Sequence, residues 1–189
     1  YEHASYVTVN VSSPNTKDLR SLQQASALAP LLAALGGERD KLAAQYGRRL
    51  PLAVKIAPDL QQPEIEALAR LVVEHGFDAV IATNTTTSRQ GVEGLPHADE
   101  SGGLSGAPLR AHSTRVIRQL HRALRGQLPI IGVGGILSGA DALEKIAAGA
   151  SLVQIYSGLI YRGPRLVAEL ARSLAQYTGQ HTAADSALL

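Results

Sequence analysis

Apolar residues along the chain follow two rhythms, short runs of strand type and longer stretches of helical spacing. The first run, residues 6–11 (YVTVNV), sets Val7, Val9 and Val11 on one face and Thr8 and Asn10 on the other. Such a strand turns its polar side to water or to a ligand. Ser12-Ser13-Pro14-Asn15-Thr16 stops it, because Pro14 brings no N–H to a ladder. Helical spacing follows over 27–46, with Leu28, Leu31, Leu32 and Leu35 on one face and Gly36-Gly37 as an expected break. The second strand is predicted at 52–57 (LAVKIA), between Pro51 and Pro58-Asp59. Pro63 opens a helix with Ile65, Leu68, Leu71 and Val72 inward, and Gly76 closes it. Residues 78–83 (DAVIAT) make the third strand, and a polar, Gly-rich loop occupies 84–106. Connections that long are usually functional or mobile.

Val116, Ile117, Leu120 and Leu124 mark the next helix, ended by Gly126. The fourth strand, 129–133 (PIIGV), runs into Gly134-Gly135, and Ser138 with Asp141 reads as a capping box for a short helix ending at Gly149. The fifth strand is predicted at 151–156 (SLVQIY), and Pro164 opens a last helix with Leu166, Val167, Leu170 and Leu174 inward. Beyond Gly179 the spacing fades. Residues 1–178 are therefore read as one domain and 179–189 as a flexible tail.

Near-continuous apolar strands alternating with helices predict an α/β fold with a parallel sheet covered on both faces. Five such units fit most of a doubly wound sheet or part of a (β/α)8 TIM barrel. The last two units favour the barrel. Gly134-Gly135 after one strand and Tyr156-Ser157-Gly158 after the next put backbone N–H groups and a hydroxyl at adjacent strand ends. Many barrels build a phosphate site from their final two loops in that way.

Composition narrows the chemistry. With 189 residues, 45% of them hydrophobic and 18% charged, the chain has enough for one real core. No run approaches the ~18 apolar residues of a membrane span, and no secretory signal is read at Tyr1. A net charge of +2 is too weak to argue for nucleic acid, and none is expected as a partner. Cysteine is absent, which removes disulfides, thiolate metal sites and a Cys nucleophile. His3, His75, His97, His112, His121 and His181 show no metal-ligand spacing, so no metal is expected. HExxH, Walker and G-x-S-x-G motifs are also missing.

Ser13 and Asn15 fall just past a strand's C-terminal end, where parallel α/β proteins carry their sites. An ordinary Ser/Pro/Asn turn reads equally well there. Lys55 lies inside an apolar strand, sharing a face with Ala53 and Ala57. Either an anion meets its ammonium or the side chain snorkels from a strand end. Thr83-Asn84-Thr85 leaves the third strand as a turn or as a second set of hydrogen-bonding groups for a planar polar ligand. Together these groups suggest a phosphate-bearing cofactor lying across the strand ends.

The motifs NVSSPNT, AVKIAPD, IATNTT, GGLSG, PIIGVGGI and AGASLVQIYSG, in this order, closely resemble the class 2 dihydroorotate dehydrogenases. These are FMN-dependent (β/α)8 barrels that oxidise (S)-dihydroorotate to orotate with a quinone as acceptor, in de novo pyrimidine (UMP) biosynthesis. The resemblance implies that Asn10, Lys55, Thr83, Gly106, Gly135, Tyr156 and Ser157 contact FMN. It implies that Asn10, Asn15, Asn84 and Thr85 hold the pyrimidine ring and carboxylate of the substrate. Ser13 would be the base that removes the C5 proton while the C6 hydride passes to the flavin. Class 1 relatives place Cys at that point. Serine is a weak base unaided, so Thr16 and the residues up to Ala27 are the expected proton relay and lid.

A whole barrel has eight units, and this chain supplies five, matching the fourth to the eighth. The expectation is therefore a C-terminal part of a longer chain, with the N-terminal half of the barrel needed to complete it and to cover two sheet edges. The resemblance also implies peripheral contact with the cytoplasmic side of the cell membrane, through an N-terminal region outside these residues. Rival readings are another FMN barrel oxidoreductase of the class 1 or dihydropyrimidine type, a non-catalytic flavin- or phosphate-binding barrel fragment, and a phosphosugar barrel.

Overall fold

The computed structural model describes the backbone of residues 1–186 and the side chains of residues 1–178. Five strands form one parallel sheet in sequence order: β1 (Val7–Asn10), β2 (Leu52–Ile56), β3 (Ala79–Ala82), β4 (Ile130–Val133) and β5 (Leu152–Gln154). Helices return the chain between them: α1 (Ala25–Tyr46), α2 (Gln62–Glu74), α3 (Arg110–Leu124) and α4 (Gly139–Ala147). After β5 come α5 (Ser157–Arg162) and α6 (Arg165–Ser186). This is the consecutive strand order of a partial (β/α)8 barrel.

Alternation decides which face of the sheet packs on what. Val54 and Ile56 of β2, with Val80, Ala82 and Ile130, are buried against Leu28, Leu32, Leu68, Val72, Ile117 and Leu120 of the helices. The other face holds a separate small cluster, Ala53, Ile81 and Val133 with Ala79 and Ile131 packed alongside. Asn10 of β1 registers with Lys55, and Lys55 with Ile81, so all three project from that inner face. The outer strands β1 and β5 keep Val7 and Leu152 exposed, and Tyr156, Ile160 and Tyr161 extend the exposed apolar surface beyond β5.

Three elements differ from the sequence expectation. Helix α1 begins at Ala25 and passes through Gly36-Gly37 unbroken. Gly36 is buried, and a Cβ there would make an ordinary contact, 3.5 Å from the His75 carbonyl oxygen at the end of α2. The fifth strand is shorter than residues 151–156 because the chain turns into α5, which is too brief to show a helical repeat. Helix α6 continues to Ser186, past Gly179, where fading spacing set the domain boundary. The side chains of the expected flexible tail, and residues 187–189, lie outside the described residues.

Candidate active site

At the C-terminal ends of β2 to β5 a cleft of about 290 Å³ opens between the strand-end loops. Lys55, Thr83, Asn84, Thr85, Gly106, Gly135, Tyr156 and Ser157 all line it, so the structure brings these eight sequence candidates together. Asn10, Ser13 and Asn15 are not in its wall. They sit on the neighbouring β1 edge and its loop, where Asn10 is tied to the cleft through Asn84 and Ser13 and Asn15 bond to each other. The Asn84 amide donates to Asn10 Oδ1 at 3.2 Å and to Ser12 Oγ at 3.0 Å, while its own oxygen takes the Thr85 N–H at 2.8 Å. Ser13 Oγ accepts the Asn15 N–H at 3.2 Å. The 84–106 loop folds back over this corner, closed by a bridge between Thr86 and Leu104. Gly103 makes that approach possible, since a Cβ there would lie 1.9 Å from Thr85 Oγ1 and 2.9 Å from Pro14 Cγ.

Lys55 stands out electrostatically. It is half-buried in the middle of β2 and makes no hydrogen bond or ion pair among the described residues. Burial pulls its ammonium pKa below the ordinary lysine value, because the charged form loses hydration that nothing in the protein replaces. An ammonium so placed is cheapest when a ligand supplies an acceptor. The far end of the cleft also presents donors. The N–H groups of Gly135, and of Ser157 and Gly158 at the start of α5, have no protein acceptor among the described residues. Among the described residues the cleft thus offers unpaired donors at two places, backbone N–H groups at one end and an ammonium in the middle, while at the other end both amide hydrogens of Asn84 are already given to Asn10 and Ser12.

Ser138 caps α4 as the spacing predicts, accepting the Asp141 N–H at 3.3 Å. The reciprocal half of the box differs. Asp141 takes the Leu137 N–H at 3.0 Å and the Arg110 guanidinium at 2.6 Å, drawing the loop after Gly135 onto the start of α3. Burial opposes ionisation of Asp141, but the Leu137 N–H, Arg110 and Ser138 outweigh it and hold the carboxyl below its usual range. Gly135, at φ +71, lies directly on that helix start: a Cβ would come within 2.5 Å of Arg110 Cβ and 2.6 Å of its Cα. Gly135→Ala is therefore expected to cost about 1–3 kcal/mol of stability and to displace the loop. Thermal unfolding of the variant against the wild type measures the cost.

Several residues of the site escaped the sequence reading. Arg20 joins three strand-end loops at once, donating to Ser12 O at 3.1 Å, Asp59 at 2.7 Å and Thr85 O at 2.8 Å. Asp59 in turn accepts from Thr86 Oγ1 and from the Thr87 N–H. Gln23 Oε1 takes the Ala57 N–H at 2.8 Å. The segment expected to act as a lid is thus pinned to the β2 and β3 loops through Arg20 and Gln23. Ser105, on the long loop, meets Ser157 Oγ at 2.8 Å and ties that loop to the start of α5. An arginine and a glutamine inside a proposed lid were the available sequence signal, but their partners lie up to 65 residues away.

Comparison with known proteins agrees with this architecture. A family model described as "Dihydroorotate dehydrogenase" matches residues 1–177. A "Dihydroorotate dehydrogenase (quinone)" of Chromobacterium violaceum is 66% identical over 177 residues, covering 94% of this chain and 52% of the relative. One from Thiobacillus denitrificans is 65% identical over 176 residues, with 93% and 52% covered. The chain thus spans about half the length of the curated relatives it matches. Among solved structures, an Eimeria tenella DHODH in complex with ferulenol superposes with a TM-score of 0.87 at 38% identity, over 95% of this chain and 51% of that one. The ligand-free form from the same organism gives 0.86 at 41% identity, over 94% and 52%.

Proposed function

The chain belongs to the dihydroorotate dehydrogenase family, and from that premise we propose that it forms the strand-four-to-eight part of a quinone-dependent enzyme making orotate for pyrimidine biosynthesis. The reaction removes a proton from C5 of (S)-dihydroorotate and a hydride from C6, leaving a C5=C6 double bond. FMN, held by the residues below, would supply two-electron chemistry, the hydride's electron pair ending on a quinone that takes up two protons to become quinol.

The residues divide the work by chemistry. Gly135, Tyr156, Ser157 and Gly106 hold the phosphate and ribityl end with N–H and hydroxyl groups. Asn10, Lys55 and Thr83 hold the ring, Lys55 by placing positive charge where negative charge accumulates. Asn10, Asn15, Asn84 and Thr85 suit a pyrimidine, because amide side chains match a ring edge that carries both N–H and C=O. Ser13 takes the C5 proton, its oxygen held by the Asn15 N–H.

The observation that carries this reading is the half-buried ammonium of Lys55, without a partner among the described residues, in the same cleft as the N–H groups of Gly135 and Ser157, which also lack one there. That combination calls for one ligand with a phosphate at one end and an acceptor-rich flat ring at the other. Residues 1–178 act as one part of a single barrel domain, completed by the other half of the barrel. Among the described residues no helix is long and apolar enough to cross a membrane. Contact with the membrane is proposed to be peripheral, at its cytoplasmic face, where quinone is reached.

An acceptor assay tests the class. With dihydroorotate as donor, turnover is expected with a quinone and not with fumarate or NAD. Turnover with fumarate or NAD in place of quinone would reassign the protein to another type of flavin barrel.

A further inference from the structure

Lys145, on α4, is fully buried, yet no part of the chemistry above uses it. Its ammonium donates to the Arg110 carbonyl at 2.8 Å, to Ser113 Oγ at 2.6 Å and to Thr114 Oγ1 at 2.6 Å, which commits all three of its protons. Ser113, as an acceptor from lysine, has its own hydrogen left to give. Two carbonyls lie within its reach, Arg110 O at 3.2 Å and Gly134 O at 3.1 Å; the first already receives Lys145 and Thr114, so the hydrogen goes to Gly134 O. In a trans peptide the C=O and the following N–H point opposite ways. Drawing Gly134 O toward α3 therefore aims the Gly135 N–H away from α3. Gly134 at φ +119 and Gly135 at φ +71 have no side chain to set this peptide, so an outside hydrogen bond must do so.

We propose that Lys145 is a positioning residue which, through Ser113, fixes the Gly134–Gly135 peptide so that the Gly135 N–H is ready for a phosphate in the cleft. The proposal rests on the reading of this cleft end as the phosphate end of a flavin site. Because this hydrogen-bond chain starts at an ionisable amine, the device is sensitive to pH. The charged groups facing Lys145 are Asp141 and Glu144 on its own helix and Arg110 on α3. Burial, opposed by the two carboxylates, pulls its pKa to about 8. Once neutral, the amine carries a lone pair that can accept the Ser113 hydrogen, which then leaves Gly134 O and frees the peptide to turn.

The test is the preference for FMN over riboflavin, measured by flavin fluorescence on protein stripped of its flavin and reloaded. Riboflavin lacks the phosphate but shares the ring, so ring ionisation cancels in the ratio. In the wild type the preference is expected to fall roughly tenfold from about pH 7 to about pH 9.5. Ser113→Ala is expected to show the lowered preference already at the lower pH, with no further step. Lys145→Met, which keeps the volume and removes the donors, is expected to match it. A pH-independent wild-type ratio, or a step that survives Ser113→Ala, overturns the inference while leaving the flavin site standing. A wild type that binds neither FMN nor inorganic phosphate overturns the flavin reading and this inference with it.

Discussion

Ser13→Ala is expected to slow the reduction of bound flavin by dihydroorotate roughly 10²–10⁴-fold, the range typical of a lost general base. Flavin content should not change, because Ser13 lies outside the cleft wall that would hold the cofactor. The hydroxyl is half-buried on the β1–α1 loop and accepts the Asn15 N–H at 3.2 Å. A donor aimed at the oxygen favours its negatively charged form, the direction a serine base requires. The loop itself is fixed from behind by Arg20 on the Ser12 carbonyl, so the oxygen is placed before substrate arrives. Anaerobic stopped-flow mixing reads the step directly. An unchanged single-turnover rate would remove Ser13 from the role.

Lys55→Met is expected to have the second large effect, lowering the reduction potential of bound flavin and slowing its reduction by roughly 10²–10³-fold. The same substitution should leave the flavin-free protein at least as thermally stable as the wild type. These opposite outcomes share one cause. An ammonium that is half-buried without a partner among the described residues is a cost to the empty fold and an asset once a ring carrying negative charge lies beside it. The sign follows from linkage. Lys55 has a lower pKa folded than unfolded, so the burial cost is full at pH values below the folded pKa and fades as pH rises through it toward the unfolded value. Potentiometric titration and thermal melts of the flavin-free protein check the two halves separately. A potential unchanged by the substitution would contradict the assignment.

Most of the sheet was legible in the chain because parallel strands buried on both faces are plain apolar runs, here bracketed by Pro51, Pro58, Pro129 and the Gly134-Gly135 pair. Lys55 was legible for the same reason: a cation inside such a run is conspicuous. The capped start of α4 was a local signal, Ser138 three residues before Asp141, and local signals survive folding. What the chain concealed was long-range. Nothing beside Arg20 announces the Thr85 carbonyl, and nothing beside Ser105 announces Ser157. Lys145 was concealed differently. It lies on the apolar side of α4 one turn from the buried Ala142, a placement that a charged residue needs three oxygens from α3 to tolerate. Helix α5 was invisible because six residues make too few turns for a period.

The most direct test of the central claim is the visible absorbance of the flavin-loaded protein when dihydroorotate is added without oxygen. The band is expected to bleach with one orotate formed per flavin and to return when a quinone is added. A flavin band that stays unchanged with dihydroorotate in excess would contradict the account.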